Sequence, residues 1–269
     1  MARFTINGLD LFIEQWNETA QKTVVFLHGF TGSTKTWHRV VEQLPKDVRY
    51  IAVDLIGHGK SAAPQNVAPY SMEAQISQLE ELFKVLNIEC FTLLGYSMGG
   101  RVALSYAARY ASRIEQLILE SASPGLAEKE ERLMRKQSDE LLADRILTNG
   151  VASFVNKWEN IPLFASQKTL SEELQQQIRQ ERLEQRAIGL ANSLRGMGTG
   201  VMPALWDELK TLQMPVTLIT GEFDEKFIGL NKRMQTSISK ASHITISQVG
   251  HAIHVENPLK FATIVEEMI

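Results

Sequence analysis

"LLGYSMGGRVAL", residues 93–104, decides how the rest of the chain is read. Ser97 lies between Tyr96 and Met98, with Gly95 and Gly99 two residues away on either side and Gly100 following. An apolar run precedes this G-x-S-x-G pentapeptide. After it, Val102, Ala103, Tyr106, Ala107 and Tyr110 recur at helical spacing. A serine on a sharp strand-to-helix turn has its hydroxyl held above a sheet, and the glycines supply the clearance that turn needs. The competing reading is a glycine-rich turn that happens to contain a serine. Strand, turn and helix all fall in the required order here, so Ser97 is read as a reactive residue.

The same alternation extends in both directions. "TVVFL" (23–27), "VRYIAV" (48–53), "CFTLL" (90–94), "QLILE" (116–120), "PVTLIT" (215–220) and "HITIS" (243–247) are short, mostly apolar runs rich in β-branched residues, as buried parallel strands are. Helical patterns lie between several of them, as with Ile76, Leu79, Leu82, Phe83 and Leu86, and again with Phe261, Ile264, Val265 and Met268. Residues 3–16 read as a hairpin turned at Asn7-Gly8. These features predict an α/β fold with a mainly parallel sheet flanked by helices. Residues 127–208 break the alternation. They are charged and helical in pattern ("EKEERLMRKQSDELLADRIL", "EELQQQIRQERLEQ"), which predicts a helical lid inserted after the strand near 116–120, with a core of residues 1–126 and 209–269.

With 269 residues, 44% of them hydrophobic and 22% charged, and a net charge of −3, the composition is that of a globular protein. It gives no reason to expect nucleic acid or an anionic membrane as a partner. The start, "MARFTINGLDLFIEQW", lacks the pattern of a signal peptide, and no run reaches the length of a membrane span. A cytoplasmic monomer is expected. The single cysteine, Cys90, cannot form an internal disulfide and is expected to pack in the core at the start of its apolar run.

A reactive serine needs a base, and the base an orienting acid. "LITGEFDEKF" places Asp224 just beyond a strand, with Glu222 and Glu225 as alternatives, and "VGHAIHVENP" places His251 in a loop, with His254 as its alternative. The His251-x-x-His254 spacing would also suit a metal, but only Glu256 is near as a third ligand, so neither metal nor cofactor is expected. "FLHGFTGS" offers the Phe30 backbone N–H as one oxyanion donor, and the Met98 N–H next to Ser97 is the second. His28, Asp54 and His58 are read as turn residues. Ser97 and Arg101 are four apart, so both side chains can share one helix face.

The ordered set "HGF", "DLIGHG", "GYSMGG", "GEFD" and "GH" resembles the α/β-hydrolase superfamily over nearly the full length. That superfamily hosts esterases, dehalogenases, C–C hydrolases, lyases and non-catalytic receptors, so the fold does not fix the reaction. "GYSMGGRVAL", "ESASPGL", "WENIPLFAS" and "GEFDEKF" are similar to the 2-succinyl-6-hydroxy-2,4-cyclohexadiene-1-carboxylate synthase family of menaquinone biosynthesis, from about residue 22 to the C-terminus. The resemblance implies a lyase that eliminates pyruvate from a polycarboxylate substrate, using Ser97, His251 and Asp224 for proton abstraction rather than hydrolysis. It places substrate-binding arginines at Arg101, Arg135 and one of Arg179 or Arg182, the latter favoured by local register, and an aromatic lid residue at Trp158. Tyr96 and Lys226 are further candidate substrate contacts. The lid arginines lie among glutamates, which is also how a solvent-facing, salt-bridged helix reads. The alternatives are a serine hydrolase of esters or C–C bonds and a non-catalytic ligand-binding protein of the same fold.

Overall fold

Period-two alternation sorts the central strands onto two cores. Val25, Leu27, Leu93, Leu117, Leu119 and Leu218 contribute to one apolar cluster, while Val24, Phe26, Leu94, Ile118 and Ile219 contribute to another on the opposite face. A sheet covered on both faces requires such strands. The computed structural model describes residues 1–269. Its strands are β1 (Ala2–Ile6), β2 (Leu9–Trp16), β3 (Thr23–Leu27), β4 (Arg49–Asp54), β5 (Phe91–Tyr96), β6 (Ile114–Glu120), β7 (Val216–Gly221) and β8 (Ala241–Ile246). The helices are α1 (His38–Val41), α2 (Met72–Val85), α3 (Met98–Arg109), α4 (Lys129–Trp158), α5 (Glu172–Leu183), α6 (Ala187–Met197), α7 (Glu225–Ser237), α8 (Ile253–Glu256) and α9 (Pro258–Glu266).

The strands form one eight-stranded sheet in the order β1-β2-β4-β3-β5-β6-β7-β8. β1 and β2 pair antiparallel, as do β2 and β4, and every other pairing is parallel. The β1–β2 turn is made by Asn7 (φ 50°) and Gly8 (φ 78°), the left-handed pair that a two-residue hairpin of this hand demands. Residues of α2, α3 and α7 complete the first core, and Val40 of α1 with Phe261 and Val265 of α9 complete the second. Chain order reverses between β3 and β5, so a crevice opens at the carboxyl ends of these two strands, where open α/β sheets hold ligands.

Between β6 and β7 the chain has no strand. It runs through α4, a 3-10 stretch at Pro162–Thr169, α5 and α6. This insert has a small core of its own, including Ile146, Phe154, Leu190 and Leu194. Its far side is tied to loops at the sheet edge: Ser33 donates to Glu181 (2.6 Å), Gln185 bonds Gly59 N–H (3.1 Å) and Gly32 O (3.2 Å), and Arg186 donates to Ser61 O. No helix is long and apolar enough to cross a membrane.

Cys90 departs from the expectation of core packing. It is exposed on the turn entering β5, with its thiol 3.3 Å from Ser112 O, because the buried strand begins one residue later at Phe91.

At the end of β6, Glu120 is fully buried and faces His254. His254 Nδ1 bonds its carboxylate (2.9 Å), the His254 backbone N–H donates to the same oxygen (3.1 Å), and His254 Nε2 bonds Thr36 Oγ1 (2.8 Å). Removing the carboxylate leaves two buried donors unpaired. Glu120→Ala is therefore expected to lower stability by about 3 kcal/mol in urea unfolding. A change within experimental error would show that water replaces the carboxylate without loss.

Candidate active site

The site is built from the loops that leave β3, β5, β7 and β8. Ser97 joins β5 to α3 with φ 50° and ψ −103°, a backbone conformation that costs a non-glycine residue energy and survives only where neighbours enforce it. The neighbours are visible. A Cβ on Gly99 would lie 2.2 Å from Leu27 O, and one on Gly95 would lie 2.4 Å from Gly99 O. Backbone therefore packs on backbone at both positions. Gly99→Ala is expected to cost about 3 kcal/mol or more of stability, since no side-chain rotation relieves that contact. A soluble variant with wild-type urea midpoint would refute the packing argument.

Ser97, His251 and Asp224 form one hydrogen-bonded chain. Ser97 Oγ is 3.0 Å from His251 Nε2, and His251 Nδ1 is 2.7 Å from Asp224 Oδ2. Asp224 and His251 are buried. An ionised carboxylate can only accept, so Nδ1 carries the proton and Nε2 accepts from the serine hydroxyl. The alternatives to Asp224 lie elsewhere: Glu222 accepts from Gln248 N–H (2.8 Å), and Glu225 is exposed. His254, the alternative base, is turned toward Glu120, and no cluster of His, Cys, Asp or Glu is arranged to hold a metal ion.

Phe30 and Met98 line the cavity above Ser97, and the backbone N–H of neither has a protein acceptor. His28 is part of the frame under Phe30. Its Nδ1–H donates to Gly29 O (2.8 Å) and its Nε2 accepts from Leu55 N–H (3.1 Å), with burial lowering its pKa, so it stays neutral. Asp54 accepts from Thr34 N–H (2.6 Å) and Lys60 N–H (2.7 Å), a turn role.

The cavity encloses about 540 Å³ and is walled by the core on one side and the insert on the other. Its charged lining is one-sided: Arg101, Arg135, Lys226 and Arg233 against the single carboxylate of Glu131. Arg101 donates to Met197 O (2.6 Å) and has no carboxylate partner. Burial, reinforced by the like charge of Arg135, lowers its pKa to about 10, still far enough above neutrality to leave it a cation. Arg135 shares its charge with Asp139 (2.8 Å). The Trp158 indole N–H is buried without a partner in the wall, and its ring meets Phe30 edge-on at 5.5 Å. Tyr96 lies beneath, its phenol held protonated by burial and by Glu120.

Of the residues singled out from sequence, Ser97, Asp224, His251, Phe30, Met98, Arg101, Arg135, Trp158, Tyr96 and Lys226 meet here, all but Asp224 as cavity wall. Neither Arg179 nor Arg182, one of which was expected at the substrate, lines this cavity. Arg179 is bound to Glu159 and Asn156 on the outer side of the insert. Arg182 is buried behind Phe164, lying on its ring at 4.6 Å and bonded to Gln167 Oε1 (2.9 Å). Arg233 was not foreseen. Lys226, Leu230 and Arg233 stand at i, i+4 and i+7 on α7, so a helical projection from Lys226 finds it.

Residues 22–258 match the family model for the α/β hydrolase fold. The chain is 44% identical to a Bacillus subtilis (strain 168) protein named "Putative 2-succinyl-6-hydroxy-2,4-cyclohexadiene-1-carboxylate synthase", over 98% of this chain and 96% of that one. It is 30% identical to the 2-succinyl-6-hydroxy-2,4-cyclohexadiene-1-carboxylate synthase of Enterobacter sp. (strain 638), over 91% of each chain. Among solved structures, MenH from S. aureus superposes with a TM-score of 0.90 at 38% identity, covering 95% of this chain and 96% of that one. A thermophilic esterase from Thermogutta terrifontis with malate bound superposes at 0.86 with 26% identity, covering 99% and 97%.

Proposed function

Because the chain belongs to the α/β-hydrolase family and, within it, to the 2-succinyl-6-hydroxy-2,4-cyclohexadiene-1-carboxylate synthases, we propose that it makes that product in menaquinone biosynthesis by eliminating pyruvate from 2-succinyl-5-enolpyruvyl-6-hydroxy-3-cyclohexene-1-carboxylate. The observation that carries the reading is the pairing of a Ser97–His251–Asp224 chain with a cavity lined by four cationic side chains and one carboxylate. The substrate carries three carboxylates and a ketone. Guanidinium groups bind carboxylates through paired, charge-assisted hydrogen bonds, whereas a neutral ester gives them nothing to neutralise.

In the proposed reaction Ser97 Oγ takes the proton α to the ketone as its own proton passes to His251 Nε2. Asp224 steadies the resulting imidazolium. The ketone oxygen becomes an enolate, whose charge the Phe30 and Met98 N–H groups receive. The enolate electrons shift through the ring double bond and break the C–O bond to the enolpyruvyl group. The departing enolpyruvate collects a proton and becomes pyruvate, leaving the ring diene. No water is consumed and no acyl-enzyme forms. The proposal takes the active unit as a monomer acting in the cytoplasm on a free small molecule.

The test is a coupled assay for pyruvate with the enolpyruvyl substrate. Stoichiometric pyruvate release that disappears in Ser97→Ala is expected. Absence of pyruvate, with steady hydrolysis of an aryl ester by the same preparation, would make the protein an esterase of this fold.

A further inference from the structure

The loop that carries His251 is held from both sides by one carboxylate. Gly250 N–H donates to Glu256 Oε2 (2.6 Å) and Ala252 N–H to Glu256 Oε1 (3.4 Å), so the two oxygens bind the amides immediately before and after the base. No lysine or arginine pairs with Glu256; its hydrogen-bond partners are these two amides. Ser166 belongs to the 3-10 stretch of the insert, and its hydroxyl is buried against this loop with no hydrogen-bond partner. A Cβ on Gly250 would meet Ser166 Oγ at 2.1 Å and Glu256 Oε1 at 3.3 Å, so loop, insert and carboxylate converge on one point. A simple helix cap does not account for this. Ala252 is the residue at the start of α8, but Gly250 lies two residues before it, outside the turn that a cap would serve.

We infer that Glu256 is the positioning residue of the catalytic base: by binding the amides on both sides of His251 it fixes the imidazole between Ser97 and Asp224. A one-ångström displacement of a base costs roughly two orders of magnitude in rate. Bound to the amides that flank His251, the carboxylate also puts a negative charge on the loop whose imidazole becomes positive when it takes a proton. The other groups facing His251 are Asp224, the Ser97 hydroxyl and the Tyr96, Phe164 and Phe227 rings. Burial and the neighbouring Glu120 push the Glu256 carboxyl up, while the Gly250 bond holds it down. The role is the same whether the enzyme is a lyase or a hydrolase, because His251 accepts a proton in either reaction.

The test uses the full chain and phenylmethanesulfonyl fluoride as probe. Ser97 Oγ forms a bond to sulfur, fluoride leaves, and the serine proton passes to His251, so the rate follows the neutral imidazole and needs no substrate. Glu256→Gln is expected to slow sulfonylation about 10- to 100-fold. It should also move the midpoint of the pH–rate curve to lower pH, since loss of a nearby negative charge disfavours the imidazolium. In the pyruvate assay the same variant should lose kcat with KM within about twofold. Glu256→Asp, which keeps the charge and shortens the reach, should lose rate with its midpoint near wild type. Wild-type rate and midpoint in a folded Glu256→Gln protein would overturn the assignment. So would a rate loss matched by a lower melting temperature with an unmoved midpoint, which would make Glu256 a residue of fold stability alone.

Discussion

Ser97→Ala is expected to lower kcat for pyruvate release by about 10³-fold or more while leaving KM within a few-fold of wild type. The hydroxyl touches the transferred proton but contributes little to holding three carboxylates, so its loss falls on the transition state. Residual activity should remain above the uncatalysed rate, because Phe30 and Met98 N–H still receive enolate charge and Arg101 still orients the substrate. Steady-state pyruvate release, checked by mass spectrometry for contaminating wild type, measures this directly. A variant retaining a tenth of the activity would mean that His251 takes the substrate proton unaided. Alanine also relieves none of the strain at φ 50°, so the melting temperature should change little.

Arg101→Ala is the second large effect. A buried charged group paired to a ligand carboxylate costs about 2–5 kcal/mol when truncated, which corresponds to roughly 30- to 5,000-fold in kcat/KM. The folded protein should not suffer, since a guanidinium without a carboxylate partner in the cavity is itself costly to bury. Thermal unfolding at or above the wild-type midpoint, together with the kinetic loss, is the expected combination. Arg101→Lys should recover only part of the activity, because an ammonium cannot bind a carboxylate through two parallel hydrogen bonds. Unchanged kcat/KM in Arg101→Ala would remove the main argument for a polyanionic substrate.

The frame of this site was open to sequence reading because its constraints are local. "GYSMG" between a strand and a helix admits few conformations, and Asn7-Gly8 between two apolar runs admits one common hairpin turn. Asp224 follows the buried strand β7 and His251 the half-exposed edge strand β8, and in a parallel sheet that fixes the end at which both emerge. The insert was legible as helical but not in detail. In a segment where glutamates and arginines alternate at helical spacing, one residue of register decides whether a guanidinium faces a cavity, an aromatic ring or Glu159. Which of Arg179 and Arg182 faces the substrate stayed open in the sequence for that reason. Cys90 fell one residue outside its strand, a boundary that apolar content does not mark. Glu256 was weighed only as a metal ligand, because nothing in a linear sequence shows that its side chain folds back on Gly250 and Ala252.

The sheet's carboxyl edge supplies the proton-handling groups, whereas the insert and α7 supply much of the charge that selects a ligand. The two duties fall largely on different stretches of chain, which face one another across the cavity. A lineage can therefore exchange its roof while keeping its reaction centre. That division separates the choice of ligand from the handling of the proton. It also points engineers who want a new substrate toward residues 127–208 and the inward face of α7, leaving the serine elbow untouched.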